Sequence, residues 1–301
     1  MNEGSMLVYL AYGSWQFRRQ AVLSILSLVQ MGSVPDKILV YTDSPDEFKK
    51  LPVEPVLLDK SGIKSWRGPY GFTHRAKIEL LRSVYKKGER HVVLVDSDTF
   101  WMHSPSKIYE SLQAGCAVMH KREHQLSDRF FPQYRAVLEQ TDLIEKEGLP
   151  IVPVEQFWMY NAGVIGLPST MNPDVLDQVL RMCDMLCRKI PLAMEWVEQV
   201  AFCYIFQGWG MRVETCEEEL LHYWCDSFEF SRRLKKFSDD DLSELAGNPK
   251  RVLELIEEAR KGRRSFLNQL LVRTKRLQRS FRKRKRELHV LAELLKQRII
   301  G

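Results

Sequence analysis

His91-Val92-Val93-Leu94-Val95-Asp96-Ser97-Asp98-Thr99 is an apolar run of strand character that ends in two carboxylates spaced i, i+2. Residues two apart in a strand face the same side of the sheet. Asp96 and Asp98 are therefore expected to converge at the C-terminal end of a buried strand, where open α/β sheets bind ligands. Two carboxylates there suit a hard divalent cation shared with a phosphorylated ligand. They equally suit a strand running into an Asp-rich turn, and the spacing alone does not decide.

Upstream of this stretch, strand-like and helix-like segments alternate. Leu7 to Tyr12 reads as a strand, Gln16 to Met31 as a helix, Lys37 to Thr42 and Val53 to Leu58 as strands, and Ala76 to Lys87 as a helix stopped by Gly88. This alternation predicts an α/β fold, a mostly parallel sheet with helices on both faces. Downstream, Pro105 to Gln113 reads as a helix and Cys116 to His120 as a short strand. Val164 to Leu167 reads as a strand entered from a turn at Asn161-Ala162-Gly163, and Asn172 to Arg188 and Ala193 to Gln207 as helices. Residues 121–156 carry no clear period. The body is expected to span 6–230, with a basic amphipathic helical extension over 238–301. Ser238, followed by Asp239, Asp240 and Asp241, is a fitting N-cap for that extension.

The 301 residues hold no apolar run near the ~20 needed to span a membrane. Six cysteines without a C-x-x-C pair point to a reduced, cytoplasmic chain. Residues 250–301 hold 17 Lys and Arg against 5 Asp and Glu, while the rest holds 28 against 34. A mildly acidic body thus carries a strongly basic tail, a polarity that calls for an anionic partner surface.

Val-Asp-Ser-Asp-Thr at 95–99, Tyr160-Asn161-Ala162-Gly163-Val164, Glu198-Gln199 and His222-Tyr223-Trp224 follow in that order. Taken together, over about residues 6–230, they resemble a GT-A fold glycosyltransferase of the family 8-like type. The resemblance implies a nucleotide-sugar donor and Mn²⁺ or Mg²⁺, with Asp98 as ligand, Asp96 on the metal or the ribose, and His222 as a further ligand. Such an ion would offset charge on the departing diphosphate as a Lewis acid. Two departures stand out. Glu198 replaces the family's more usual Asp, and Tyr-Trp-Cys-Asp follows His222 where the family expects a glycine and a diphosphate-binding lysine.

The resemblance also implies that Tyr12, Gly13, Thr42 and Asp43, in the loops after the first two strands, hold base and ribose. Ser97 is counted with this donor-binding set. Lys77 is the preferred cation for the diphosphate or nucleotide, with Arg75 second. Asn161 and Ala162 are expected beside the sugar. Glu195, Glu198 and Gln199, at i, i+3 and i+4, are expected on one helix face near the anomeric carbon. Retention is favoured over inversion.

In the tail, Leu267, Leu270, Leu277, Phe281, Leu288, Leu291 and Leu295 recur at helical steps among nine Lys and Arg between 273 and 286. A basic amphipathic helix of this kind suits an anionic membrane surface, here through residues 262–298. A partner helix or second copy using the stripe as a coiled-coil seam, or a helix packed on the body with a basic outer face, are the other readings, and nucleic acid is ranked last. The expectation is a cytoplasmic enzyme, peripheral on the inner face of a membrane, with a glycan or lipid-linked acceptor. A sugar-nucleotide nucleotidyltransferase and a non-catalytic scaffold of the same fold are the alternatives.

Overall fold

The unbroken apolar run at 92–95 belongs to a strand buried on both faces, which its Val-Val-Leu-Val pattern requires. The computed structural model describes residues 4–32, 35–126, 131–192 and 194–264. Its first half alternates as the sequence predicts: β1 (Ser5–Ala11), α1 (Trp15–Gln30), β2 (Lys37–Thr42), β3 (Glu54–Leu57), α2 (Lys60–Trp66), α3 (Arg75–Val84) and β4 (His91–Val95). There follow β5 (Thr99–Trp101), α4 (Ser106–Gln113), β6 (Ala117–Gln125), α5 (Pro132–Leu138), α6 (Thr141–Lys146), β7 (Trp158–Leu167), α7 (Asp174–Lys189) and α8 (Val197–Gly208). The described chain ends with β8 (Val213–Thr215), β9 (Leu220–His222), α9 (Ser227–Leu234), α10 (Asp239–Ala246) and α11 (Pro249–Arg264).

Among the described residues, seven strands form one sheet in the order β3-β2-β1-β4-β7-β6-β8. The β3-β2-β1-β4 block is parallel, β7 runs antiparallel to both β4 and β6, and β8 is parallel to β6. The fold is therefore the α/β class with a mostly parallel sheet. Strand alternation assigns the two layers. Val8, Leu39, Leu94 and Ile165 pack against residues of α3, α7 and α8, including Leu81, Val179 and Phe202. Leu7, Val40, Val93, Val95 and Val164 pack against α1 and α4 through Ile25, Leu28 and Ile108.

Two local expectations are corrected. Asn161-Ala162-Gly163 is not a turn but lies inside β7, because the apolar residues on both sides pair with β4 and β6. The helix expected from Ala193 starts only at Val197. Glu195 sits in the preceding single turn of 3₁₀ helix and is exposed.

A third cluster joins α1 to the C-terminal helices. Leu23 of α1 and Phe100 of β5 pack with Phe230, Leu234, Leu242, Leu245, Val252, Ile256 and Ala259. Ser238 caps α10 as expected, and Asp241 returns the bond to the Ser238 amide in a capping box. Packing against the body thus continues past Phe230 to Ala259. The rest of the predicted extension, with the Leu267–Leu295 stripe, lies outside the described residues. Leu242 is fully buried, so Leu242→Ala should cost about 2–5 kcal/mol in urea unfolding of the full chain. A loss below about 0.5 kcal/mol, the range of ordinary surface changes, would mean that α10 lies outside the cooperative unit.

Candidate active site

The site begins where β4 stops. Asp96, Ser97 and Asp98 lie in the turn between β4 and β5, past the strand end. Their convergence therefore comes from the turn and not from the strand pleat. Backbone bonds fix that turn. Asp96 N–H donates to the Gly163 carbonyl at 2.9 Å, and Tyr223 N–H to the Asp98 carbonyl at 3.1 Å. A chain of buried hydroxyls fixes it from behind. The Trp101 indole donates to Tyr9 Oη (3.2 Å), Tyr9 meets Ser24 Oγ (2.9 Å), Ser24 meets Thr99 Oγ1 (2.8 Å), and Thr99 donates to the Asp96 carbonyl (2.8 Å). An indole can only donate and a carbonyl can only accept. Every proton in the chain must therefore point the same way, toward Asp96. Burial pushes the Tyr9 phenol up to about 12, against the bonds to Ser24 and Trp101, which keeps it a neutral donor.

His222 arrives on β9, whose pairing with β5 sets His222 opposite Thr99. Its Nε2 lies 3.3 Å from Asp98 Oδ1 and 3.8 Å from Asp96 Oδ2. One ligand atom from each of the three residues lies within 4.8 Å of the others. The ring occupies space that only Gly163 leaves free: a Cβ at 163 would stand 2.2 Å from Nδ1. Nδ1 lies 2.8 Å from Asn161 Oδ1, which also accepts the Gly163 N–H at 3.0 Å. The amide oxygen can only accept, so the Nδ1 position carries the hydrogen and Nε2 faces the carboxylates. That buried Nε2 makes no well-formed hydrogen bond. Two carboxylates facing one imidazole nitrogen fit a divalent ion, and Asp98 and His222 are its best-placed ligands.

Lys77 completes the charge pattern. Its Nζ lies 2.8 Å from the Asp96 carboxylate and 2.9 Å from Glu198 Oε1. Burial alone would lower its pKa, but the two carboxylates outweigh burial and raise it. Burial pushes Asp96 above the ordinary carboxylate range, with Asp98 adding to the shift, while Lys77 and His222 oppose it. At Asp98 burial pushes the same way but is outweighed, chiefly by His222, and the net shift is downward. Glu198 is likewise buried and held below the ordinary range because Lys77 outweighs desolvation. Its Oε2 accepts the Gln199 amide N–H at 3.0 Å.

The remaining predicted residues separate. Gly13, with φ at +83°, turns the chain after β1, and its N–H donates to Asp43 Oδ2 at 2.9 Å. Asp43 also pairs with Arg18 at 3.2 Å. Thr42 is fully buried, and its hydroxyl accepts from the Ser44 N–H within its own turn. The Tyr12 hydroxyl is buried without a partner, and desolvation raises its pKa against the opposing charge of Arg67. These four group at the ends of β1 and β2, on the same sheet edge as Asp96. Arg75 does not join the site. Its guanidinium is buried against Asp184 of α7 at 2.7 Å, with Glu79 and the Trp66 carbonyl at 2.9 Å each. Glu195 is also absent, for the helix-start reason given above. Ala162 turns its methyl into the opposite core layer, so only its backbone borders the site.

Sequence reasoning missed Glu123. It lies on β6, whose pairing with β7 shifts register between Met119 and Lys121 and again between Arg122 and Gln125. Its Oε1 accepts from Asn161 Nδ2 at 3.2 Å and its Oε2 from Gln199 Nε2 at 2.9 Å. A carboxylate within a bulged strand carries no periodic signal.

No family model matches the chain, and no curated protein is significantly similar to it in sequence. Among solved structures, the chain is similar to the galactosyltransferase LgtC in complex with donor and acceptor sugar analogues. That likeness has a TM-score of 0.49 at 12% identity and covers 83% of this chain and 99% of that one. It is similar to mouse xyloside xylosyltransferase 1 (TM-score 0.44, 10% identity, 70% of this chain, 84% of that one). It is also similar to the glycosyltransferase GlyE of Streptococcus pneumoniae TIGR4 (TM-score 0.42, 12% identity, 78% of this chain, 50% of that one). Likenesses of this degree say nothing of donor or acceptor.

Two substitutions separate the site from its scaffold. Gly163→Ala should displace the His222 ring and lower Mn²⁺ affinity about 10- to 100-fold, read by Mn²⁺ electron paramagnetic resonance. Arg75→Ala should leave Mn²⁺ affinity unchanged while costing about 3 kcal/mol in urea unfolding. The reverse pattern would place Arg75 in the site.

Proposed function

We propose that this chain is a metal-dependent glycosyltransferase that uses a nucleotide-diphosphate sugar, with UDP the expected nucleotide. The observation that carries this reading is the meeting of Asp96 and Asp98, from the turn after β4, with His222, from the distant β9, beside the Lys77–Glu198 pair. Asp98 and His222 would hold the ion, with Asp96 shared between it and Lys77, and the imidazole suits Mn²⁺ alongside Mg²⁺. When bound, such an ion supplies Lewis-acid stabilisation of negative charge on a leaving diphosphate. Transfer breaks the bond between the sugar C1 and the diphosphate oxygen and joins C1 to an acceptor oxygen, whose proton passes to the departing diphosphate oxygen. Lys77 adds a fixed positive charge at the same place. That supports a diphosphate ligand despite the missing lysine after His222.

Retention is favoured over inversion. An inverting enzyme needs a free carboxylate as base for the acceptor hydroxyl. Glu198 is engaged by Lys77 and the Gln199 N–H, and Glu123 by two amides. Gln199 Oε1 has no hydrogen-bond partner among the described residues, so its amide oxygen is the group left for the sugar. Tyr12, Gly13, Thr42 and Asp43 are read as the base and ribose side of the cleft.

In a thermal-shift panel of nucleotide sugars, the matching donor with Mn²⁺ should stabilise the wild type by about 2.7 kcal/mol at about 100 times its Kd. Asp98→Ala should remove the Mn²⁺-dependent part of that shift together with sugar transfer. Intact donor binding and transfer in Asp98→Ala would refute the reading.

The acceptor reading is a glycan or lipid-linked acceptor at an anionic membrane surface, cytoplasmic side, reached through residues 262–298. Its support is the charge and apolar pattern of the tail. Among the described residues no helix is long and apolar enough to cross a membrane. Deleting residues 262–301 should release the protein from anionic liposomes in flotation, and equal binding of both forms would remove the membrane reading.

A further inference from the structure

We infer that Glu123 is a positioning residue that fixes the side-chain amide of Gln199 with its oxygen toward the donor sugar. This rests on the transferase reading of the site. An ionised carboxylate only accepts hydrogen bonds. Gln199 must therefore present Nε2 to Glu123 Oε2, as it does at 2.9 Å, and its Oε1 is turned the other way. Gln199 is largely buried and sits in the first turn of α8 beside Glu198. No other side chain among the described residues bonds its amide. Without Glu123, the two ends of that amide would be nearly equivalent in shape and free to exchange places.

The orientation bears on the chemistry. Charge at C1 becomes positive as the bond to the diphosphate stretches. An amide oxygen facing C1 stabilises that charge, whereas an amide NH₂ facing it opposes the charge. A fixed dipole of this kind needs no reorganisation during the reaction. Asn161 is held more firmly. Its Oδ1 already accepts from the Gly163 N–H and from His222 Nδ1, so Glu123 is the third of three restraints on it and, among the described residues, the only one on the Gln199 side-chain amide.

The strand geometry is an independent observation that Glu123 is aimed at the site. β6 and β7 pair regularly at Val118 and Met119, and the register then shifts between Met119 and Lys121 and again between Arg122 and Gln125, the interval that holds Glu123. Bulges re-aim side chains and gather next to active sites. Here the shifts bring one acidic side chain of an otherwise exposed Lys121-Arg122 segment to both Asn161 and Gln199.

The test compares full-length wild type with Glu123→Gln, which keeps size but can donate as well as accept. With Mn²⁺ and the donor found in the panel, kcat should fall about 10- to 100-fold, while donor KM and Mn²⁺–UDP affinity stay within about threefold. The double variant Glu123→Gln/Gln199→Glu restores a bond of fixed direction, with the amide at 123 donating to a carboxylate at 199. It should recover kcat over Glu123→Gln alone. Unchanged kcat in Glu123→Gln overturns the proposal. A loss of UDP affinity equal to the loss of turnover also overturns it, because that is the mark of a merely structural residue. A readout independent of turnover is hydrogen exchange of the Gln199 side-chain amide in ¹⁵N-labelled protein. It should be slow in the wild type and about tenfold or more faster in Glu123→Gln, and equal rates overturn the clamp. A wild type with no donor turnover but a protected Gln199 amide would sink the transferase reading and leave the clamp standing.

Discussion

The molecule is organised around an electrostatic constraint. Asp96, Asp98 and Glu198 crowd the end of β4, offset chiefly by Lys77 and His222, with His74 Nδ1 3.9 Å from Glu198. Three carboxylates against one ammonium leave an excess of negative charge even when the imidazole is protonated. Asp96 and Asp98 keep about a fifth of their side chains exposed, and that open side is where a cation can enter. Lys77 and Glu198 are nearly sealed, so their pairing is a fixture of the fold, while the Asp98–His222 side is the adjustable one.

Holding that much charge at a turn requires a stiff support. The one-way chain from the Trp101 indole through Tyr9, Ser24 and Thr99 to the Asp96 carbonyl ties the turn to β1 and α1. Buried chains of this kind are costly if one member is lost, because each remaining partner is left unsatisfied. The C-terminal helices reinforce the same place, since Leu23 of α1 and Phe100 of β5 pack against α9, α10 and α11. The geometry of the acidic turn thus depends on residues well outside it.

Much of this was legible in the sequence. The alternation of strand and helix gave the class, and the Asp96/Asp98 spacing, Lys77, Asn161, Glu198, Gln199 and His222 gave most of the cluster. The failures have physical reasons. Arg75 and Lys77 differ by two positions in a helix start, and only the tertiary position of Asp184 decides that Arg75 is structural. Asn161-Ala162-Gly163 has turn composition, but it lies inside a strand, where Gly163 leaves room for the His222 ring. Glu195 has the right helical spacing but lies before the helix begins. Glu123 was invisible because a bulge breaks the period-2 pattern that locates strand residues.

Positive charge at the cluster comes from Lys77, since Tyr223-Trp224-Cys225-Asp226 after His222 bring none. Lys77 is ionised and bonded to both Asp96 and Glu198.

Anomalous diffraction from crystals soaked with Mn²⁺ and UDP tests the central claim most directly. The account predicts one strong peak bonded to Asp98 and His222 Nε2, with metal–ligand distances of about 2.0–2.2 Å and the diphosphate beside Lys77. A peak bound elsewhere, or UDP bound with no peak near Asp98 and His222, would contradict it.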